Sequence, residues 1–194
     1  IGASVSKEEV FQVSMEMKSY KAPDLDGFQP TFYKMYWDMV GDDMWSFVCT
    51  IFATGFFDPQ AAKTLIVLIP KHEFPCHLKD FQHISLCNVL HKLISKVLVN
   101  HLRPILNRII SPMQSSLLSG RSTNDNAILL QEIIHFMSKS QRVEGDLILK
   151  LYLEKAYDHV DWSFLQRVLT DLGFPPHIIS LIMHGVSFAS LCLL

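Results

Sequence analysis

The residues best placed to do chemistry lie where an alternating apolar stretch meets a charged turn, in DLILKLYLEKAYDHV (residues 146–160). Apolar side chains recur at every second position over residues 146–153, and this period predicts a β-strand. Its faces are Leu147, Leu149, Leu151 and Leu153 on one side and Ile148, Lys150 and Tyr152 on the other. The question for this strand end is whether Tyr152 and the carboxylates that follow it, Glu154 and Asp158, can form a reactive site.

A second acidic group lies nearer the N-terminus, at Asp42 and Asp43 in GDDMWSF. The pair imitates the acidic pairs of metal sites, but it precedes a helical pattern instead of joining two strands. Acidic side chains near a helix N-terminus are favourable because they accept from free backbone N–H groups and complement the helix dipole. We therefore expect this pair to cap a helix.

Composition favours one folded domain, since the chain has 194 residues and is 49% hydrophobic. Lys and Arg number 17 against 19 Asp and Glu, and the pI is about 6.5. A nucleic-acid partner would therefore have to be bound by a local basic patch, because the whole chain has no basic field.

The cysteines are four in number and include no C-x-x-C pair, which favours a reduced intracellular protein. The sequence contains no apolar stretch of about 18 residues, the length that a membrane span requires. We also expect both ends to be truncated. IGASVSKEEV has neither a basic leader nor a starting methionine, and VSFASLCLL reads as a strand that has only begun.

Helices dominate the elements that must position these residues. Ser6 and Glu9 form a capping box that predicts a first helix to about Ser19. The further helical patterns are TFYKMYWDMV, DDMWSFVCTIFATGFF, NVLHKLISKVLVNHL, DNAILLQEIIHFM and DWSFLQRVLTDLG. Pro104 is expected to end or kink one of them. TLIVLIP, closed by Pro70, predicts a buried strand or a hairpin arm.

Successive motifs of the chain resemble the reverse transcriptase of LINE-type, non-LTR retrotransposons, particularly those abundant in plant genomes. The motifs are KAPDLDGF, TLIVLIPK, LKDFQHISLCNVLHKLISKVLVNHLRPIL, IISPMQSSLLSGRSTNDN and LYLEKAYDHVDW, in this order. Five ordered motifs are far more specific than one short pattern. The resemblance implies an α+β fold of the right-hand polymerase type, present as an incomplete and degenerate copy. Residues 1–145 would form mostly helical fingers and residues 146–194 the first strand and helices of the palm.

The resemblance also identifies a substitution at the opening segment. The family's strand end has the pattern Leu-Asp-x-x-x-Ala-aromatic-Asp, and its first aspartate binds two Mg²⁺ ions, which hard carboxylate oxygens must hold. This chain has Tyr152 at that position. A phenol is neutral at physiological pH and larger than a carboxylate. We therefore expect no metal or cofactor site in this chain, since the family's second acidic motif would also lie beyond Leu194.

The neighbouring side chains have two interpretations each. Glu154 and Asp158 lie in and after the turn, so neither is expected to reach the metal position. Helix capping is the simpler role for Asp158. Tyr157 matches the family's aromatic residue that excludes the wrong sugar, and it is also suited to packing under the turn, which is compatible with that role.

Further matches concern the incoming nucleotide and the template. The family offers an arginine and a proline where this chain has Gln82 and His83, and glutamine cannot make a bidentate phosphate contact. Lys71 matches the companion basic residue, with a solvated surface lysine as the alternative. Arg121 matches an arginine near the template strand, with a plain loop cation as the alternative.

Three further features of the sequence concern a turn, a candidate zinc site and a group of basic residues. Asp24 and Leu25 replace the family's Gly-Pro, while Asp26 and Gly27 still predict a turn. The spacing of His72, Cys76, Cys87 and His91 resembles a zinc site, but the family needs no metal there. Basic residues that could meet a phosphate backbone, or simply form a solvated face, are Lys92, Lys96, Arg103, Arg108 and Arg121.

Three functions remain open. The first is a truncated reverse transcriptase fragment without activity, and the second is a module that binds RNA or template-primer without chemistry. The third is a polymerase that regains activity in a longer chain or with a partner. By family, the partners are an RNA template and a DNA primer, the only small-molecule substrate is a deoxynucleoside triphosphate, no membrane is involved, and the compartment is the nucleus or the cytoplasm.

Overall fold

The computed structural model describes residues 4–24, 26–56, 63–116, 118, 120–140, 145–153, 155–187 and 191–193. Within these residues the helices are α1 (Lys7–Glu16), α2 (Pro30–Met35), α3 (Trp37–Thr54), α4 (Val89–Ile109), α5 (Thr123–Lys139), α6 (Trp162–Asp171) and α7 (Pro176–Ser187). The strands are β1 (Thr64–Pro70), β2 (Phe81–Cys87) and β3 (Leu191–Leu193). Short 3-10 helices cover Leu78–Asp80 and Ala156–His159. The predicted α+β class is confirmed.

The chain divides into two compact units. The first comprises residues 1–100 and 162–194, and the second comprises residues 101–161. The predicted division into fingers (1–145) and palm (146–194) follows other boundaries and stays a prediction. No helix in the described part of the chain is long and apolar enough to cross a membrane.

Helices α1, α3, α4 and α7 supply the core of the first unit. Its most deeply buried apolar side chains are Val10, Val13, Val48, Leu93, Val97 and Ile178. The helix boundaries follow local rules. Ser6 accepts a hydrogen bond from the Glu9 N–H at 3.1 Å, as the capping box predicts, and α2 opens with Pro30, whose fixed φ suits a first helical position.

The acidic pair Asp42 and Asp43 lies inside α3, which begins at Trp37. The predicted capping role is therefore wrong, because the apolar period continues further towards the N-terminus than the acidic signal suggested. Asp42 instead forms an ion pair with Lys7 Nζ on α1, at 2.5 Å.

The sheet has the strand order β2-β1-β3. β1 and β2 form an antiparallel hairpin that runs from the pair Thr64 and Cys87 to the pair Pro70 and Phe81. β1 pairs in parallel with β3. TLIVLIP is therefore a hairpin arm, one of its two predicted roles. β2 was not predicted, because FQHISLC has no clear alternation and becomes a strand by pairing with β1.

Pro104 lies inside α4, which continues to Ile109. Of the two effects expected of this proline, ending the helix is wrong, and a kink stays a prediction. Proline removes one backbone donor, but the following turn still forms its bonds, as the Ile110 N–H shows by donating to the Leu106 oxygen at 2.9 Å.

The second unit contains α5 and the segment of residues 145–153. None of the described residues of α5 is buried. The strand predicted for residues 146–153 is wrong, since the structure assigns no strand to these residues and Leu147 is 89% exposed. The alternating pattern sets the facing of side chains, but a β-strand also needs a neighbouring strand to take its hydrogen bonds, and the described residues of this unit include none.

Candidate functional site

The residues predicted to act together belong to both units. Lys71 and Gln82 lie in the first unit, while Arg121, Tyr152 and Tyr157 lie in the second. The structure brings Lys71 and Gln82 together on the β1–β2 hairpin.

Both residues lie near the tip of the hairpin. Ile69 is the cross-strand partner of Gln82, and Lys71 directly follows β1, which ends at Pro70. Hydrogen bonds hold both the backbone and the side chain of Lys71. Its N–H donates to the Asp80 backbone oxygen at 2.8 Å, and its Nζ donates to the Lys79 backbone oxygen at 2.9 Å.

Asp80 organises the tip of the hairpin. Its carboxylate accepts from the Cys76 N–H at 2.9 Å and the His77 N–H at 2.8 Å, and its other oxygen lies 3.6 Å from His72 Nε2. The bond from Cys76 is the largest cause that holds the pKa of Asp80 below its ordinary value, followed by the bond from His77. The tip therefore combines one fixed anion with the Lys71 cation and the neutral Gln82.

Such a set can attract a phosphate with a single point charge. A lysine ammonium makes no forked contact, and the amide of Gln82 adds no charge. Asp80 also lies opposite Lys71 and partly offsets its charge. The interaction that the tip offers to a phosphate is therefore weak anion attraction.

Tyr152 lies in the extended segment of the second unit and is 85% exposed. Lys155 has a left-handed backbone, with φ of 48°, and leads into the Ala156–His159 turn. Asp158 lies in that turn, α6 begins at Trp162, and the capping role of Asp158 stays a prediction. Glu154 and the side chains of Tyr157 and Asp158 lie outside the described residues. The roles predicted for Tyr152 and Tyr157 stay predictions.

Metal ligands do not assemble in the described part of the chain, where no group of three or more His, Cys, Asp or Glu side chains could hold an ion. The pairs with zinc-like spacing belong to opposite ends of the hairpin. Cys76 lies in the tip loop, and Cys87 is at the far end of β2. A seven-residue strand separates them, which corresponds to about 20 Å.

Arg121 holds the end of α4. Its Nη1 donates to the carbonyl oxygens of Ser111 at 2.5 Å and Gln114 at 2.7 Å. Its Nη2 donates to the oxygens of Ile110 at 3.1 Å and Asn107 at 3.5 Å. The last carbonyl groups of a helix lack partners within it, so this guanidinium acts as a C-terminal cap. The predicted contact with a template strand stays a prediction.

The turn of KAPDLDGF is present as predicted from Asp26 and Gly27. The Gly27 N–H donates to the Asp24 oxygen at 3.0 Å, and the Phe28 N–H donates to Asp26 Oδ1 at 3.0 Å. Leu25 lies outside the described residues. The substituted Asp24 is 8% exposed, and its Oδ1 accepts from the Leu65 N–H at 3.3 Å, so it attaches this loop to β1.

His91 is a half-buried member of the same unit, and burial is the main cause that lowers its pKa. The nearby charge of Lys92 acts in the same direction, while Asp24 opposes it. His91 therefore adds little positive charge at neutral pH. Among the other basic residues named above, Lys96 is in an ion pair with Glu16 at 2.9 Å.

Sequence reasoning missed two structural roles, the cap formed by Arg121 and the anion at Asp80. A signal existed for each. α4 ends without a glycine that could close it, so a nearby guanidinium is a natural partner for its carbonyl groups. Asp80 follows His77 by three residues, the spacing at which an acidic side chain reaches back to the backbone at the start of a helix.

Comparison with known proteins gives one family and two curated relatives. The model of the family described as reverse transcriptase (RNA-dependent DNA polymerase) matches residues 69–191. The "Transposon TX1 uncharacterized 149 kDa protein" of Xenopus laevis is 27% identical over 175 residues, which are 90% of this chain and 13% of that protein. The "Putative 115 kDa protein in type-1 retrotransposable element R1DM" of Drosophila melanogaster is 26% identical over 170 residues, 85% of this chain and 16% of that protein. The chain thus spans less than a fifth of either relative.

Proposed function

Because the chain belongs to the reverse transcriptase (RNA-dependent DNA polymerase) family, we propose that it is part of a LINE-type retrotransposon polymerase in which DNA synthesis has been lost. The names of the two relatives, one a transposon protein and one a protein of a retrotransposable element, support the origin. The observation that carries the loss of activity is Tyr152, which occupies the position of the family's metal-binding aspartate. A plant-like origin stays a prediction.

The donor groups around Tyr152 do not fit the two Mg²⁺ ions that the family uses. Mg²⁺ selects charged, hard oxygen ligands in a compact octahedral set. Lys150 precedes Tyr152 by two residues, and its positive charge would repel a nearby cation. In the described part of the chain no acidic cluster compensates for this. No catalytic step through a metal is therefore derived for this chain.

The nucleotide site is weakened by a second substitution. By family resemblance, Lys71 and the residue at position 82 face the triphosphate of the incoming nucleotide. Lys71 directly follows β1 and Gln82 lies on β2, both near the tip of the hairpin, which supports a common ligand. Gln82 removes the charged, forked donor that an arginine would supply. The remaining function of the tip is weak attraction of a polyphosphate.

The proposed inactivity is tested by primer extension with the whole chain, Mg²⁺, four deoxynucleoside triphosphates and an RNA template annealed to a DNA primer. We expect no product above background under conditions in which an active reverse transcriptase extends the primer fully. Product that disappears with EDTA would contradict the proposal.

Tyr152→Asp provides a sharper version of the same test. We expect this single change to leave synthesis absent, because one added carboxylate does not make the ligand set that two cations require and Gln82 remains uncharged. Clear Mg²⁺-dependent extension by Tyr152→Asp, with Tyr152→Phe inactive in parallel, would mean that the rest of the site is intact.

A further inference from the structure

A groove of about 920 Å³ lies beside β2 in the first unit. Its walls are the segment after α1, the strand β2 and the helix α4. Its floor is aliphatic, and Met17, Ile84, Leu86 and Val99 contribute to it. Its described lining contains no Phe, Tyr or Trp side chain. The volume is within the usual range of ligand pockets, and the lining suits an aliphatic group better than a stacked ring.

The groove follows the outer edge of the sheet. β2 is an end strand in the order β2-β1-β3, and the four consecutive residues Ile84–Cys87 line the groove. Successive side chains of a strand point to opposite faces, so a groove that contacts four in a row runs along the backbone edge. At such an edge, half of the backbone N–H and C=O groups point away from the partner strand.

The edge of β2 lacks the usual protection against strand addition. Natural edge strands carry lysine or proline, or form bulges, that prevent pairing with another chain. FQHISLC contains neither lysine nor proline, and it pairs with β1 in an unbroken register of seven residues. The edge is therefore a suitable template for one more strand.

Lysine side chains surround the aliphatic floor. Lys18 and Lys21 line the groove from the segment after α1, and Lys92 and Lys96 line it from α4. Lys96 pairs with Glu16, whereas Lys18, Lys21 and Lys92 form no ion pair within the described residues. The rim of the groove is therefore positive, and its complement is a ligand with negative charges.

We propose that this groove binds an extended peptide from a protein partner, which adds a strand to the outer edge of β2 and alternates aliphatic with acidic side chains. The backbone of the peptide bonds to the edge groups of β2, its aliphatic side chains occupy the floor, and its carboxylates meet Lys18, Lys21 and Lys92. This is strand addition with pockets for alternate side chains. Single-stranded RNA fits less well, because its bases need aromatic platforms on which to stack.

The test uses a fluorescein-labelled eight-residue peptide of alternating Val and Glu, titrated with the whole chain and followed by fluorescence anisotropy. We expect saturable binding. The same peptide with Lys in place of Glu should bind at least tenfold more weakly. N-methylation of alternate peptide nitrogens, which removes donors from one edge, should weaken binding by at least tenfold as well.

Matched protein variants localise the binding. Lys18→Glu combined with Lys92→Glu should weaken binding of the Val-Glu peptide at least tenfold. Lys139→Glu combined with Lys150→Glu makes the same change in net charge within the second unit and should alter affinity less than twofold. Circular dichroism of both variants establishes that they remain folded.

Three results would overturn the proposal. They are the absence of saturable binding of the Val-Glu peptide, equal affinity for its N-methylated form, and displacement of the peptide by an oligouridine that itself depends on Lys18 and Lys92. The last result would identify the groove as a nucleic-acid site. None of these outcomes depends on whether the chain synthesises DNA.

Discussion

At the scale of single residues, the contacts of Arg121 give the motif SGRSTNDN a structural role. The guanidinium has five donors in a fixed fork, and four backbone carbonyl groups accept from it, one in the last turn of α4 and three in the segment that follows. The neighbouring Asn126 acts similarly, because its Nδ2 donates to the Met113 oxygen at 3.0 Å and to Ser115 Oγ at 2.9 Å. Polar residues of SGRSTNDN thus hold the preceding loop, and a polar loop in a sequence does not by itself indicate a ligand.

Replacement of Arg121 by Ala should therefore destabilise the second unit. We expect the free energy of unfolding to fall by about 1–2 kcal/mol, because several charge-assisted hydrogen bonds are lost at a half-exposed site. Arg121→Lys should recover only part of the loss, since one ammonium cannot reach all four oxygens. Urea denaturation followed by circular dichroism measures the change, and hydrogen exchange across residues 105–126 localises it.

Arg103→Ala is the matched control, because it removes the same charge from the exposed side of α4. A loss as large as that of Arg121→Ala would mean that net charge, and not the capping geometry, stabilises this region.

For Tyr152, the sequence predicts a chemical role, whereas the structure describes the surroundings of the side chain. Its place at the family's aspartate position is a prediction from the motif, because residue types and their order can be read in the sequence. The surroundings of Tyr152 could not be predicted in this way. The pattern of residues 146–153 indicates which side chains would share a face, but it does not show whether a neighbouring strand is present to pair with them. The exposure of this segment is consistent with the absence of a neighbouring strand in the described part of the second unit.

At the scale of elements, the hairpin tip depends on the ionised form of Asp80. Two backbone N–H groups, from Cys76 and His77, donate to its carboxylate and hold its pKa below the unfolded value of 3.8. A depressed pKa means that the stabilising bonds are fully present above the unfolded value and are lost as the pH falls through the lower, folded-state value. The tip should therefore lose its order only after the pH has fallen below the unfolded value of 3.8.

Nuclear magnetic resonance can check this directly. The amide resonances of Cys76 and His77 should titrate together with a midpoint below 3.8, the unfolded value. In Asp80→Asn the titration should be absent and both amides should exchange faster with solvent. A common midpoint at or above the unfolded value would contradict the bonding described for this carboxylate.

The junction between α3 and α7 offers a second test at this scale. Gly55 ends α3 with φ of 67°, and a Cβ at this position would lie 2.6 Å from the backbone oxygen of His177. Gly173, after α6, has φ of 76° but no neighbour within 4 Å of such a Cβ. The two glycines share the left-handed backbone and differ in the close approach of another element.

Alanine at each position should separate these two effects. Gly173→Ala should cost about 1 kcal/mol, the price of a left-handed alanine. Gly55→Ala should cost about 2–4 kcal/mol, because a backbone oxygen must also move. Thermal and urea unfolding of the two variants measure the difference. Equal losses would show that α3 and α7 do not approach as closely as described.

Local rules predicted most of the described helices but not α7, which opens with Pro176 and supplies buried residues to the core of the first unit. The capping box at Ser6 and the three-and-four spacing of α4 are contained in a few neighbouring residues, so they are visible in the sequence. The β2 strand depends on β1, to which it is joined through a loop. The extent of α3 likewise depends on apolar residues that precede Asp42, and the acidic pair alone gave a misleading boundary.

At the scale of the whole molecule, the two units differ in what they bury. The first has a continuous apolar core, and Leu93 is fully buried in it, with 0% exposure. The second has alternating leucines at residues 147–153 that remain exposed, and no described residue of α5 is buried. Exposed apolar stretches of this kind favour association between chains.

This contrast predicts opposite responses to substitution in the two units. Leu149→Lys combined with Leu151→Lys should change the free energy of unfolding by less than about 0.5 kcal/mol, because these side chains contribute little packing. It should also reduce light scattering at high protein concentration, since charge on an extended segment opposes strand pairing.

The matched comparison is Leu93→Ala, which should cost about 2–5 kcal/mol through loss of burial and creation of a cavity. Urea unfolding and static light scattering, measured on both variants and the parent chain, provide the two readouts. If the double lysine variant lost as much stability as Leu93→Ala, the leucines of residues 147–153 would have to be packed in solution. Such a result would indicate that residues 147–153 pack against another surface in solution. It would support the β-strand that the sequence predicts for this segment.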